Sequence, residues 1–184
     1  MGTRIQTVLV LLLLFAACQG PQEKSAEGQA PTRTFEVPKS LEREHDELHS
    51  QLEELTYAGG RTGEAARAVQ ADLESHFARE NMYALPPLGL LVPLSQDQFD
   101  CSMTEVLVIT GKLEAELPAM LSEHKVIVEG LMKLNDAATI ENKRAGVQFA
   151  EKLMAHAQAE EEITYPAALV VGRQVKSRAE DCPN

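Results

Sequence analysis

The chain has 184 residues, with 17 basic against 28 acidic side chains and a net charge of −11, so nucleic acid and anionic lipid headgroups are poor partners for its surface. That length allows one domain with a real core. The absence of tryptophan and the scarcity of aromatics point to an Ala/Leu/Glu-rich helical protein, and nothing in the pattern suggests a sheet.

Residues 1–17 read as a targeting segment rather than part of the fold. Arg4 supplies a small positive region, and Val8 to Phe15 is a continuous apolar run too short to span a bilayer comfortably. The run ends in Phe15-Ala16-Ala17-Cys18, which resembles a bacterial lipobox, with Phe15 where leucine is usual. That resemblance implies that Cys18 is lipidated and becomes the mature N-terminus, a lipid anchor rather than a span. Gln19 after it favours the outer membrane of the cell envelope, facing the periplasm. The other reading is an ordinary cleaved signal peptide with an incidental cysteine. Residues 18–37, rich in Gln, Pro, Glu, Ser, Gly and Thr and without apolar periodicity, read as a flexible tether.

Residues 38–175 carry four stretches of helical periodicity, and 176–184 read as a C-terminal tail. The first runs from Pro38 or Ser40 to Tyr57, where Leu41, His45, Leu48, Leu52 and Leu55 form the seam and Gly59-Gly60 stops it. A second spans Gly63 to Leu85, with Val69, Leu73, His76, Phe77 and Glu80 inward, and is ended or kinked by Pro86-Pro87. The third is expected from about 96–100 to Leu134, with a kink at Pro118 and an end at Asn135-Asp136. The fourth runs from Thr139 into the 170s, disturbed by Pro166, with Val147, Leu153, His156, Glu160 and Ile163 inward. The expectation is an all-α, antiparallel four-helix bundle.

One pattern occurs twice. His76-x-x-x-Glu80 and His156-x-x-x-Glu160 are each followed by a proline six residues after the glutamate, Pro86 and Pro166. Upstream of each stands a Glu-His pair, Glu44-His45 and Glu123-His124. Residues four apart share a helix face, so each repeat can aim an imidazole and a carboxylate at one spot. A lone histidine on an apolar face is ordinarily a satisfied core residue. Four of them, one per helix in matching repeats, together with two carboxylates, are costly to bury unless a cation offsets them. Imidazole and carboxylate without thiolate suit iron, manganese or zinc, and two glutamates from facing helices can each bridge two ions.

On these residues the chain resembles the hemerythrin-like (HHE, cation-binding) domains over about 38–175. The resemblance implies a pair of irons with an oxo or hydroxo group between them, manganese or zinc being the other metals such a set takes. It implies that His45 and His76 hold one iron, His124 and His156 the other, and that Glu80 and Glu160 bridge. Oxygen-carrying members take a fifth histidine one turn further along the third helix, where this chain has Val128. His49, one turn after His45, stands at the equivalent place in the other repeat and is either that fifth imidazole or a solvent-facing residue at the seam's edge. Asn81 stands where a glutamate is usual after Glu80, a change expected to alter only what surrounds the ligands.

With Cys18 lipidated, Cys101 and Cys182 remain, and an even pair in an oxidising compartment favours a disulfide. They lie 23 residues before His124 and 26 after His156, which puts both at one end of neighbouring helices, roughly 35–39 Å from the histidines at about 1.5 Å per residue. Tyr83 and Tyr165 fall near the two His-x-x-x-Glu turns, where packing is the expected role and tuning of the site the other. The functional expectation is a membrane-tethered di-iron protein that binds O2 or NO for sensing, storage or scavenging. A di-iron redox enzyme acting on NO or peroxide or repairing iron centres is the alternative, and a metal-binding or structural bundle without redox role the third. No flavin motif or Fe–S cysteine cluster stands in the chain to feed electrons, which favours binding over turnover.

Overall fold

The computed structural model describes residues 35–182. The segment 1–17, Cys18 and most of the 18–37 tether lie outside the described residues. Among the described residues every element is helical, and no helix is long and apolar enough to cross a membrane.

Helix α1 (Lys39–Thr56) buries His45, Leu48, Leu52 and Leu55, alternating steps of three and four that keep one stripe inward. Helix α2 (Gly60–Arg79) buries Val69, Leu73, His76 and Phe77. After it come a wide π turn (Glu80–Ala84), a 3-10 turn (Pro86–Leu90) and the short α3 (Leu91–Ser95). A 3-10 turn at Cys101–Glu105 leads into α4 (Val106–Ile140). Helix α5 (Arg144–Ala159), a second π turn (Glu160–Thr164) and α6 (Tyr165–Arg178) follow one another without a break.

Four helical rods therefore pack against each other. α1 lies on α2 and α5, α2 on α4, and α4 on α5 and α6. One apolar cluster, built on Leu48, Leu52, Val69, Leu131, Leu134 and Leu153, fills the interior on one side of the histidines. Another, with Tyr83, Leu85, Leu88, Leu113, Met120 and Ala168, fills it on the other. Each fully buried aliphatic side chain contributes roughly 1.5–3 kcal/mol, so these two clusters carry the fold and the polar layer between them does not.

The ends of the elements differ from expectation for local reasons. Helix α4 is one element through Pro118 and runs past Asn135-Asp136, because Ala137 and Ala138 continue its buried stripe. The stop falls instead near Asn142, whose φ of 55° takes the left-handed conformation that asparagine tolerates. α6 extends beyond 175, and a 3-10 turn (Ala179–Asp181) carries the chain to Cys182, which is bonded to Cys101 with a Cα–Cα distance of 5.7 Å. The last residues of the expected tether also belong to the fold. Phe35 is buried with Leu90, Val106, Val171 and Val175, and the Glu36 carbonyl passes so close to Gly89 that a Cβ there would collide with it.

Helix α2 starts at Gly60 rather than Gly63 because its first N–H groups find an acceptor far along the chain. Glu141 accepts from the Arg61 and Thr62 amides at 2.7 and 3.2 Å and from the Thr62 hydroxyl at 2.7 Å. Lys143 Nζ donates to Glu141 at 2.7 Å and to the carbonyls of Ala58 and Gly59 at 2.8 and 2.7 Å, which ties the α1–α2 link to the α4–α5 link. The Lys143 ammonium, the Thr62 hydroxyl and the two amides hold the Glu141 carboxyl down at about 2, against an ordinary 4.5. A carboxyl depressed in this way stabilises the fold above 4.5 and loses that contribution as pH falls toward about 2. In urea unfolding, Glu141→Gln is expected to be less stable than the parent near neutral pH, with the gap closing between 4.5 and about 2.

Candidate metal centre

Each rod brings one histidine into the layer between the apolar clusters. His45 comes from α1, His76 from α2, His124 from α4 and His156 from α5, all buried. The two glutamates open the two π turns, and both are buried, Glu80 completely. A proline follows each of those turns. Pro86 and Pro166 have no N–H, and the residue before each donates five positions back, Leu85 to the Glu80 carbonyl at 2.9 Å and Tyr165 to that of Glu160. A widened turn thus begins at each glutamate and closes at the residue before the proline.

The imidazoles face inward through Nε2. His76 Nε2 lies 3.2 Å from Glu80, and His156 Nε2 lies 3.0 Å from Glu160. His45 Nε2 is 3.4 Å from Glu160 and 3.7 Å from Glu80, while His124 Nε2 is 3.4 Å from Glu160 and 4.0 Å from Glu80. Both carboxylates therefore touch histidines of both repeats. Two groupings emerge: His76, Glu80, His124 and Glu160 in one, His45, His156 and Glu160 in the other. This pairs His45 with His156 and His76 with His124, not His45 with His76 as the resemblance implies. In the ring of rods α1 borders both α2 and α5, so a pairing drawn from repeats along the chain is not the only one available.

Three histidines have a carboxylate on the outer nitrogen. His76 Nδ1–H donates to Glu123 at 2.9 Å, His124 Nδ1–H donates to Glu161 at 3.0 Å, and His156 Nδ1 faces Glu44 at 3.3 Å. The glutamate of each Glu-His pair thus serves a histidine on another helix, because adjacent residues on a helix do not face one another. A carboxylate on Nδ1 fixes the tautomer and leaves the Nε2 lone pair inward, the usual support of a metal-bound imidazole. His45 is the exception. Its Nδ1 is buried with no partner, and the residue after Glu80 is Asn81 where the other repeat has Glu161.

Tyr165 also enters the layer, beyond the packing role expected for it. Its hydroxyl donates to Glu80 and lies 3.2 Å from His124 Nε2 and 3.4 Å from His76 Nε2. The signal was present as the tyrosine immediately before Pro166, but its direction depends on the π turn, which no local pattern announces. His49 lies exposed on α1, outside both groupings, so the fifth-imidazole reading is not supported by its position. Val128 occupies the other candidate place.

The residues fit a cation. Glu80 Oε2 and His156 Nε2 are buried without a hydrogen-bond partner, the latter close to Glu160 but poorly aligned with it. Each such atom costs about 1–3 kcal/mol, which coordination removes. Nitrogen and carboxylate donors with no free thiol among the described residues suit iron, manganese or zinc, since Cys101 and Cys182 are taken by their disulfide. These buried His and Glu groups could hold metal ions.

Without a cation, protons do part of that work. Burial pulls His76 and His156 down, but Glu80, Glu123 and Glu160 around the first and Glu160, Glu44 and Glu80 around the second outweigh it, and both pKa values end raised. Burial pushes Glu160 up, yet His124, His156 and His45 together hold it well below its ordinary value. Burial, with Glu80 and Glu160 alongside, drives the Tyr165 hydroxyl upward.

Comparison of the chain with protein-family models, curated proteins and solved structures finds no match.

For the metal-free protein these shifts set a window. Raised histidines stabilise the fold fully below their ordinary 6.5 and lose that contribution as pH rises through their folded values. The depressed Glu160 stabilises it above 4.5 and loses this as pH falls. The melting temperature of metal-free protein is expected to peak between 4.5 and 6.5 and to decline on the alkaline side, a decline that His76→Gln with His156→Gln would flatten.

Proposed function

We propose that the chain is a hemerythrin-like, non-haem di-iron protein that binds O2 or NO, held at the bacterial outer membrane, facing the periplasm, by a lipid on Cys18. The observation that carries this reading is the ring of four inward Nε2 atoms around two buried carboxylates, with partnerless polar atoms among them. Two irons held there would supply redox-active centres with coordination positions open to a small diatomic ligand. Three-residue links at 57–59 and 141–143 suit an antiparallel, hemerythrin-like order of the four rods. The Cys101–Cys182 disulfide suits an oxidising compartment such as the periplasm.

The chain's residues divide the work. Glu80 and Glu160 reach histidines of both groupings and would be the carboxylates shared by two ions. Glu44, Glu123 and Glu161 hold three imidazoles with the lone pair inward. Phe77, stacked on His45 at 4.2 Å, and the apolar clusters on either side keep water from the layer. A second reading, an enzyme that reduces NO or peroxide, gains from the exposure of His49. Without a fifth imidazole the irons are less saturated, closer to the relatives linked to NO chemistry.

Anaerobic titration of the full chain with ferrous iron, followed by O2 and separately by NO, distinguishes these readings. The expected result is two irons per chain and a spectral change that reverses on removing the gas. Sustained consumption of NO or peroxide with a chemical reductant would favour the enzyme, and failure to bind iron would contradict both. Glu123→Ala is expected to weaken iron binding by about 10–100-fold through the loss of the acceptor on His76 Nδ1.

A further inference from the structure

The two halves of the site are not chemical copies. Aligned on their repeats, His76 and Glu80 match His156 and Glu160, Asn81 matches Glu161, and Leu85, before Pro86, matches Tyr165, before Pro166. Only one half thus supplies a phenol. Tyr165 is 1 % exposed, its ring lies near-parallel to that of His124 with centroids 5.7 Å apart, and its hydroxyl points into the cluster.

What that hydroxyl meets is unusual for a phenol with a packing role. It has a single proton, and Glu80 accepts it. The same oxygen lies 3.2 Å from His124 Nε2 and 3.4 Å from His76 Nε2. Both of those imidazoles commit Nδ1–H to a carboxylate, Glu161 and Glu123, so in their neutral form each turns an Nε2 lone pair toward the phenol oxygen. Two imidazole lone pairs, a carboxylate oxygen and a phenol oxygen converging in a dry layer form a ligand set. The turn that sets Glu160 also sets Tyr165, since the Tyr165 amide closes it on the Glu160 carbonyl.

We propose that Tyr165 is a metal ligand, its phenolate oxygen completing the position built by His76, His124 and Glu80. The inference rests on the metal-centre reading and makes the two metal positions unequal. On metal loading the O–H bond of Tyr165 gives way to a metal–oxygen bond and one proton passes to solvent. The His76–His124 position then has a hard anionic donor that favours ferric iron. The His45–His156 position has Leu85 in place of the phenol, and Asn81 in place of the carboxylate that would support His45. That position has fewer protein donors and is where a small exogenous ligand binds.

The test is resonance Raman spectroscopy of the full chain loaded with ferric iron, with iron per chain measured on the same sample. Parent protein with two irons is expected to show tyrosinate ring modes enhanced within a visible charge-transfer band. Tyr165→Phe should lose both while keeping iron, and Tyr83→Phe should keep both. Two bound irons without tyrosinate modes in the parent would overturn the proposal and leave the metal-centre reading standing. So would modes that survive Tyr165→Phe. Absence of iron from the parent would overturn both. Should Tyr165→Phe fail to fold, the parent spectrum with the Tyr83→Phe control decides the matter alone.

Discussion

Two carboxylates and four imidazoles sit in a layer between two apolar clusters, and the rest of the architecture is arranged around that burial. Desolvating ionised carboxylates costs several kcal/mol each unless an opposite charge or well-aligned donors compensate. The protein compensates in part with imidazole protons, which is why His76 and His156 are pushed toward the charged form and Glu160 toward the ionised one. The compensation is incomplete, because Glu80 Oε2, His156 Nε2 and His45 Nδ1 remain unpaired. A cation in the layer would answer the first two.

The layer is held to shape by devices outside it. The two wide turns begin at Glu80 and Glu160 and close just before Pro86 and Pro166, so each carboxylate is positioned by backbone and not only by its rotamer. Glutamates 44, 123 and 161 orient imidazoles from neighbouring rods, and Arg79 braces Glu123 at 2.6 Å. Farther away, Glu141 with Lys143 joins the two links at one end, and the Cys101–Cys182 disulfide joins the start of α4 to the end of α6. These ties stabilise an arrangement in which an error of an ångström at the histidines would matter.

Much of this was legible in the chain. Four stripes of period 3.6, each carrying one histidine, are a geometric statement about four helices facing a common interior, and the repeated His-x-x-x-Glu turns supply the carboxylates. What escaped depends on contacts between distant residues. That Glu123 supports His76 and not its neighbour His124 follows from rod packing, as does the pairing of His45 with His156. The start of α2 depends on a carboxylate 79 residues away, which no capping pattern reveals. Tyr165 was visible only as an aromatic near a turn, since its aim depends on a π turn. His49, one turn after His45, allowed either an inward or a solvent-facing imidazole, and its place at the edge of the stripe turns it to solvent.

The most direct measurement is anomalous diffraction at the iron edge from crystals of the iron-loaded chain. The account predicts two peaks between Glu80 and Glu160, about 3.5–4 Å apart as in other two-metal sites. One should lie nearer His76 and His124, the other nearer His45 and His156. No peak in this layer, or peaks held by surface carboxylates with the histidines unligated, would contradict it.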